Sequence, residues 1–507
     1  MIEAFDAAAV RAAEEPVLAA ERGFSGGLMH RAATALQLSV RHALRRCTGG
    51  VTGTTVAGLV GPGNNGADTL YALAGLAAHG VRVLAIVTGS VHDAGLAAFR
   101  AAGGRVLGVG EGAPGPGVPL AEAVTLACGA DVLLDGLLGI GARGGLHGAS
   151  CELVTALNNR IAQGPPGPFV VAVDVPSGIG VDDGTVPGPV LPADLTVTFG
   201  VAKPGLLLPP AAHLAGRLEV VDLGLQGRLT GPAAVRRLER SELVGLLPIP
   251  GPGDDKYGRG VVGVVAGSPG YPGAAVLAVA GALGIGCGIV RYVGPDAVRA
   301  AVVAAHPEVV AAPGPDVRVQ AWVVGPGLEG GEDHAAAALE HAIAQGLPVV
   351  VDAGGLGLLP DRVPPLVVLT PHAGELARLL SDRGVPVTRE QVEAAPLRWA
   401  RQAADRTGAT VLLKGHTTLV VGETVYAQAG APAWLATAGS GDVLAGLLGA
   451  LLAGRSRDLA DSGLVAGLAA AAAEIHGRAG ALANPGGPVT ASMVAAALPA
   501  TVAGLLR

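Results

Sequence analysis

Between Gly439 and Asp442 the chain reads Gly-Ser-Gly-Asp, and an apolar run of Val, Leu, Ala and Gly follows. That run predicts a buried helix over about 440–453. Small residues ahead of it let backbone N–H groups approach a ligand closely. The helix N-terminus favours an anion such as a phosphate. Asp442 falls in the first turn, where a carboxylate beside a phosphate-binding nest is poorly placed unless it has a task. The task that fits is accepting a proton from a hydroxyl that attacks phosphorus. The alternative is an ordinary helix start, with Ser440 as cap and Asp442 complementing the dipole.

A second group lies in the first half. Asn64, Asn65 and Asp68 sit on the stretch Gly61-Pro62-Gly63-Asn64-Asn65-Gly66-Ala67-Asp68. Asp135 ends one apolar run, and Asp174 and Ser177 end another. Side-chain oxygens of Asn65, Asp135 and Ser177 suit a hard cation, and Asp174 is a candidate acid/base group. Taken singly, each could do no more than stabilise a turn.

The elements that must position these groups read as two α/β domains. Residues 1 to about 50 are predicted helical. Short apolar strands follow at Thr54–Val60, Val81–Val87, Val132–Leu134, Phe169–Val173, Leu195–Phe199 and Leu218–Val221, with a helix to about His79 after the first. The glycine–asparagine stretch is read as a loop at a strand's carboxyl end, where open α/β sheets bind ligands. From Gly224 to about Arg240 strands give way to charge, which places a linker at 226–240 between domains over 1–225 and 241–507. Strands resume near Val261–Ala266, Ile289–Val293, Ala321–Val324, Val349–Val351, Val367–Leu369 and Val411–Leu413. Ala-rich helices close the chain at about 440–453, 462–478 and 490–506.

Composition narrows the class. The chain has 507 residues, half of them hydrophobic, 3% aromatic, with 81 glycines, which suits an α/β protein with ample core. A net charge of −7 gives no electrostatic footprint for nucleic acid or an anionic membrane. Four scattered cysteines without a CxxC pair argue against a zinc site or disulfide scaffold, and Met1–Asp6 lacks a signal-peptide core; the expectation is a cytoplasmic protein. Thirty uncharged residues from Val261 to Val290 are long enough to span a bilayer, but Gly267-Ser268-Pro269-Gly270-Tyr271-Pro272-Gly273 divides them into a strand, a loop and a helix. Only three lysines (Lys203, Lys256, Lys414) stand against 31 arginines; each is either a position where a compact ammonium is needed or a chance retention.

The loop 61–68, Asp135–Gly141, Val173-Asp174-Val175-Pro176-Ser177-Gly178 and Thr196–Gly200 together resemble the NAD(P)H-hydrate epimerase family over about residues 1–225. The resemblance implies a Rossmann-like three-layer fold that interconverts the R and S forms of hydrated NADH and NADPH. It implies substrate contacts from Asn64, Asn65, Gly66, Ala67 and Asp68 and from Gly139, Ile140, Ala142, Arg143, Gly144, Gly145 and Gly141 between them. It also implies potassium held by Asn65, Asp135 and Ser177, with Asp174 catalytic. Ala67 and Thr69 stand where that family has glycines, so a positive φ at either would strain the loop.

The second half, with Lys256–Gly260, Gly267-Ser268, Tyr271–Ala275, Val324–Leu328, Asp352-Ala353-Gly354, Thr370–Glu375 and Lys414–Thr418 ahead of Gly439–Asp442, resembles the ribokinase-like superfamily. The likeness is to the ADP-dependent NAD(P)H-hydrate dehydratases, a second three-layer α/β fold. By that resemblance Lys414, Gly415, His416, Thr417, Thr418, Gly439, Ser440 and Gly441 bind the nucleotide. Ala274 or Ala275, Gly327, His372 and Asp442 line the substrate site. ADP as phosphoryl donor, Mg2+, K+, the small molecules NADHX and NADPHX, and a homo-oligomer are the cofactors and partners implied. Two other readings stay open: a vitamin-precursor kinase of the same superfamily, and a first domain that binds without catalysing.

Overall fold

The computed structural model describes residues 1–21, 27–164, 167–329, 332–459 and 462–507. The chain folds as two compact units, Glu3–Ala234 and Val235–Arg507, the latter including the first two residues. It opens on a short strand, β1 (Ile2–Ala4), and two helices, α1 (Ala7–Ala20) and α2 (Leu28–Thr48). The expected all-helical start is therefore corrected at the first strand; residues 22–26 lie outside the described part.

The first unit is built on seven strands: β2 (Thr55–Val60), β3 (Arg82–Val87), β4 (Arg105–Gly108), β5 (Val132–Gly136), β6 (Phe169–Val173), β7 (Leu195–Phe199) and β8 (Arg217–Val221). All pair in parallel, in the order β4-β3-β2-β5-β6-β7-β8. Side chains alternate across the sheet as a period of two requires. Val56 and Val60 pack with α2 and α3 (Asn64–Ala77), while Ala57 and Leu59 face α5 (Leu120–Cys128) and α6 (Gly148–Ala162). A fifth helix, α4 (Asp93–Ala101), packs beside α3. This is a three-layer Rossmann-like unit. Its strand order reverses between β2 and β5, and such a switch point opens a ligand crevice at the carboxyl ends.

The second unit carries ten strands in one sheet: β9 (Val235–Arg237), β10 (Val261–Val265), β11 (Ile289–Val293), β12 (Val310–Ala311), β13 (Ala321–Val324), β14 (Val349–Val351), β15 (Val367–Leu369), β16 (Thr410–Leu413), β17 (Thr418–Val421) and β18 (Val425–Gln428). Their order is β9-β18-β17-β16-β15-β14-β13-β10-β11-β12. Only the β16–β17 and β17–β18 pairs are antiparallel. Helix α7 (Arg240–Leu246) leads in. One layer contains α8 (Pro272–Gly284), α9 (Asp296–Ala305), α14 (Ser440–Gly454), α15 (Ser462–Ala483) and α16 (Ala491–Leu506), and its core includes Val262, Val264, Leu447 and Leu468. The other contains α10 (Asp333–Ala344), α11 (Ala373–Asp382), α12 (Arg389–Ala394) and α13 (Pro396–Thr407).

Several expectations shift. The stretch 224–240, read as strandless, holds β9, and neither β4 nor the β17–β18 hairpin was anticipated. The uncharged run from Val261 is a strand and the thirteen-residue helix α8; among the described residues no helix is long and apolar enough to cross a membrane. Helix α3 starts at Asn64, so the loop shrinks to Gly61-Pro62-Gly63 and Asn65, Ala67, Asp68 and Thr69 lie on the helix. Neither Ala67 nor Thr69 has a positive φ. The strain that missing glycines would have caused does not arise, because these positions are helical.

Candidate functional sites

In the first unit the backbones after β2 and β5 nearly touch. A Cβ on Gly61 would lie 1.8 Å from the Leu137 carbonyl oxygen, and one on Gly66 would lie 2.1 Å from that of Gly61. Only glycine permits this approach, and it delivers the first turn of α3 to the switch point. There the Asn65 amide nitrogen donates to the Leu138 and Val173 carbonyls, both at 2.8 Å. The Ser177 hydroxyl accepts from the Leu138 N–H (2.8 Å), and Asp135 accepts from the Ser177 N–H (2.8 Å). Three loops are thus stitched together by the three residues predicted as cation ligands. Asp135 is fully buried; burial raises its acid range, opposed by its hydrogen bonds from Ser177 and Leu137.

A cavity of about 480 Å³ lies beside this point and is lined by Asn64, Asn65, Asp68, Gly139, Ile140, Gly141, Ala142 and Asp174. Of the other residues in the predicted set, Gly66 and Ala67 are buried behind it, and Arg143, Gly144 and Gly145 do not line it. A larger depression of about 1060 Å³ sits at the opposite, amino ends of β5 and β6 and holds none of the predicted groups.

Asp174 follows β6 with φ of 66°, a left-handed conformation that aspartate tolerates better than most residues. Its Oδ1 accepts from the Lys203 ammonium (2.5 Å), the Thr198 hydroxyl (3.0 Å) and the Phe199 N–H (3.1 Å). Asp68, 7% exposed, has no partner for Oδ1 among the described residues. Burial above all, then the charges of Asp174 and Glu14, push its acid range well above normal. Glu14 is raised by burial as well, with Lys203 opposing. Glu14 and Arg11, whose guanidinium donates to the Ile140 carbonyl (3.0 Å), come from α1. The sequence reading missed both, and nothing local marks them.

In the second unit β14 and β15 end in register at Val351 and Leu369, and β16 runs on past Val411, the partner of Leu369, to Leu413. Asp352 Oδ1 accepts from the Lys414 ammonium (2.7 Å) and the Thr370 hydroxyl (2.8 Å). Glu375 lies 3.6 Å from the same ammonium. Burial works against the charge on Lys414, but Asp352 and Glu375 together hold its range above normal. Gly439, at φ 83°, caps α14 from the left-handed region, so Ser440 is the first helical residue and not the cap. A Cβ on Gly441 would lie 3.3 Å from the Lys414 ammonium. Asp442 is thereby placed among Asp352, Glu375 and Lys414. Burial first, then the two carboxylates, raise its acid range to about 7 against the pull of Lys414.

The remaining predicted positions divide. Gly327, at φ 66°, backs against Ala274, and Ala275 is wholly buried, so Ala274 is the more accessible of that pair. His372 is exposed and caps α11, its Nδ1 accepting from the N–H groups of Gly374 (3.0 Å) and Glu375 (3.2 Å). Gly415 and His416 are exposed, Thr417 is buried and Thr418 starts β17. His476, unmarked in the sequence, is buried behind Ser440; burial lowers its range to about 4, opposed by a hydrogen bond with the Ser440 backbone.

A Rossmann-like unit with carboxylates at its switch point, followed by a second three-layer α/β unit with an aspartate at a glycine-led helix start, places two candidate catalytic sites on one α/β chain. Residues 25–205 match the family model described as YjeF-related protein N-terminus, and residues 262–499 match that described as NAD(P)H-hydrate dehydratase. A bifunctional NAD(P)H-hydrate repair enzyme of Mycobacterium tuberculosis is 44% identical over 91% of this chain and 90% of its own length. Its counterpart in Mycobacterium leprae is 41% identical over 95% and 94%. An NAD(P)H-hydrate epimerase of Clavibacter sepedonicus is 43% identical over 47% of this chain and 96% of its own. Among solved structures, the ADP/ATP-dependent NAD(P)H-hydrate dehydratase of Bacillus subtilis, co-crystallised with ATP and Mg2+, covers 54% of this chain and 99% of its own at 24% identity and a TM-score of 0.47. The chain belongs to the family of bifunctional NAD(P)H-hydrate repair enzymes.

Proposed function

We propose that this chain restores NADH and NADPH from their hydrates, epimerising the R form to S in the first unit and dehydrating S in the second at the expense of ADP. The observation that carries the dehydration is Asp442, a carboxyl with an acid range near 7 beside Gly439-Ser440-Gly441 and Lys414.

The hydrate bears a hydroxyl at C6 of the nicotinamide ring, and hydroxide is a poor leaving group where phosphate is a good one. Asp442 takes the hydroxyl proton, the oxygen bonds to the terminal phosphorus of ADP, and AMP leaves. Inorganic phosphate then departs from C6 and a proton from C5, which restores the ring double bond. Backbone amides of Gly439–Gly441 and the Lys414 ammonium meet the charge that develops. Glu375 and Asp352 beside Lys414 would hold Mg2+ jointly with phosphate oxygens, in keeping with its habit of taking one or two carboxylates plus substrate phosphates. When bound it neutralises charge on those phosphates.

Epimerisation requires one bond at C6 to break and re-form. Asp174 takes the hydroxyl proton, the C6–N1 bond opens to an aldehyde, and N1 takes a proton from Asp68. Closure on the opposite face with both protons returned gives the other epimer. The Leu138 and Val173 carbonyls that the Asn65 amide bridges, with the Ser177 hydroxyl and the buried Asp135 carboxylate, form an oxygen-rich set that suits K+. The ion would fix the loops that carry Asn65 and Asp174.

The test is an R/S mixture of hydrated NADH with Mg2+, K+ and either ADP or ATP, followed by near-UV absorbance of reduced nicotinamide. Full recovery with ADP, faster than spontaneous epimerisation, is expected. Recovery that halts at the S fraction would leave only the dehydratase. A stable phosphorylated product, or no recovery with either nucleotide, would replace this reading with a small-molecule kinase.

A further inference from the structure

We propose that Lys203 is a positioning residue for epimerisation, holding Asp174 so that one carboxylate oxygen alone is left to work on the substrate; this rests on the epimerase reading above. Lys203 is 1% exposed. Its ammonium has three protons and three acceptors: Asp174 Oδ1 at 2.5 Å, the Phe199 carbonyl at 2.9 Å and the Thr198 hydroxyl oxygen at 3.0 Å. The same Oδ1 also takes the Thr198 hydroxyl proton and the Phe199 N–H. Three donors saturate one oxygen of Asp174, and no hydrogen bond among the described residues reaches Oδ2 of a side chain that lines the 480 Å³ cavity. The two oxygens of a carboxylate are chemically equal, and this network makes them unequal.

A compact ammonium suits the slot. It offers three tetrahedral donors to three acceptors within a closed space, whereas the planar guanidinium fork does not. The chain writes arginine 31 times and lysine three times, and one of those three is here. Asp174 shares its cavity with the carboxyls of Asp68 and Glu14, so the ammonium also offsets a local excess of acid.

Four full-length variants test this: Lys203→Met, Lys203→Arg, Thr198→Val and Thr198→Ser, each assayed for R-to-S conversion, with dehydration of the pure S hydrate as the control for an intact chain. Lys203→Met should lower kcat for epimerisation by about 10²-fold while KM stays within about threefold. It should also alter the epimerase pH profile, since the buried ammonium hydrogen-bonded to Asp174 is gone. Arginine should not rescue it. Thr198→Val, equal in volume, should lower kcat by about tenfold and Thr198→Ser should restore it. A purely structural role would instead lower the melting temperature and leave kcat per folded molecule and the pH profile unmoved, which overturns the proposal. If Lys203→Met does not fold, the Thr198 pair decides by the same outcomes. A wild-type chain that does not speed R-to-S conversion would remove the epimerase reading and this proposal together; an active wild type with equally active variants would remove only the latter.

Discussion

Asp442 stands between two opposing influences, burial and neighbouring carboxylates that disfavour its charge and Lys414 that favours it. The balance puts its ionisation near neutrality, where a general base works best. Replacing it with alanine should lower dehydration by about 10²-fold or more while R-to-S conversion continues, measured separately on the two epimers. For the free enzyme, kcat/KM for dehydration should rise with pH through about 7. The same shift has a cost. In the unfolded chain the group ionises near 3.8 and in the fold near 7. Between those values the folded state binds more protons, so stability falls as pH rises through the window and stays lowered above it. Asp442→Asn should therefore raise the melting temperature relative to wild type at pH 8 and scarcely at pH 3.5, read by thermal denaturation at the two pH values. A melting temperature unchanged at both would mean that the charge is not strained.

Each site hangs on the first turn of one helix, and close backbone contact decides where that turn lies. Gly66 is helical, so alanine there suits the local conformation, yet its Cβ would meet the Gly61 carbonyl at 2.1 Å. Gly66→Ala should cost about 1–3 kcal/mol, as overpacking does, and should cut epimerisation with dehydration of the S hydrate intact. At α14 the constraint is conformational as well as steric. Gly439 has φ of 83° and a Cβ there would lie 2.4 Å from Leu277 Cδ1. Gly439→Ala should reverse the selectivity of the damage, lowering dehydration and sparing epimerisation. Equal loss of both activities in either variant would argue against two independent sites.

Two activities on one polypeptide pass a small molecule from one to the other. If that intermediate is free in solution, the sites need not share a chain. A mixture of Asp174→Asn and Asp442→Asn proteins, each blocked in one step, should then convert an R/S mixture fully to NADH, where either alone stops short. Conversion that halts at the S fraction in the mixture would mean that the hydrate is not released between steps.

Much of this was present in the residue order. Apolar runs of strand length, each ending in glycine or a polar group, located β2, β6, β7, β13, β14 and β15 and the polar carboxyl ends of several of them, because hydrophobic periodicity is a local property. The Gly439–Asp442 turn and Asp174 were legible for the same reason. What the sequence could not hold is convergence. Asp352 meets Lys414 across 62 residues, and Arg11 meets Ile140 across 129; these pairs exist only once the sheet order has set the strand ends side by side. Nor could it tell that Asn65 and Asp68 are helical, since the glycines read as loop until their contact with the facing backbone is known. The 2.5 Å bond that turns a rare lysine into the partner of Asp174 belongs to the same class. Local pattern determined the elements and their polar ends, and the long-range pairing of parallel strands decided which of those ends became a site.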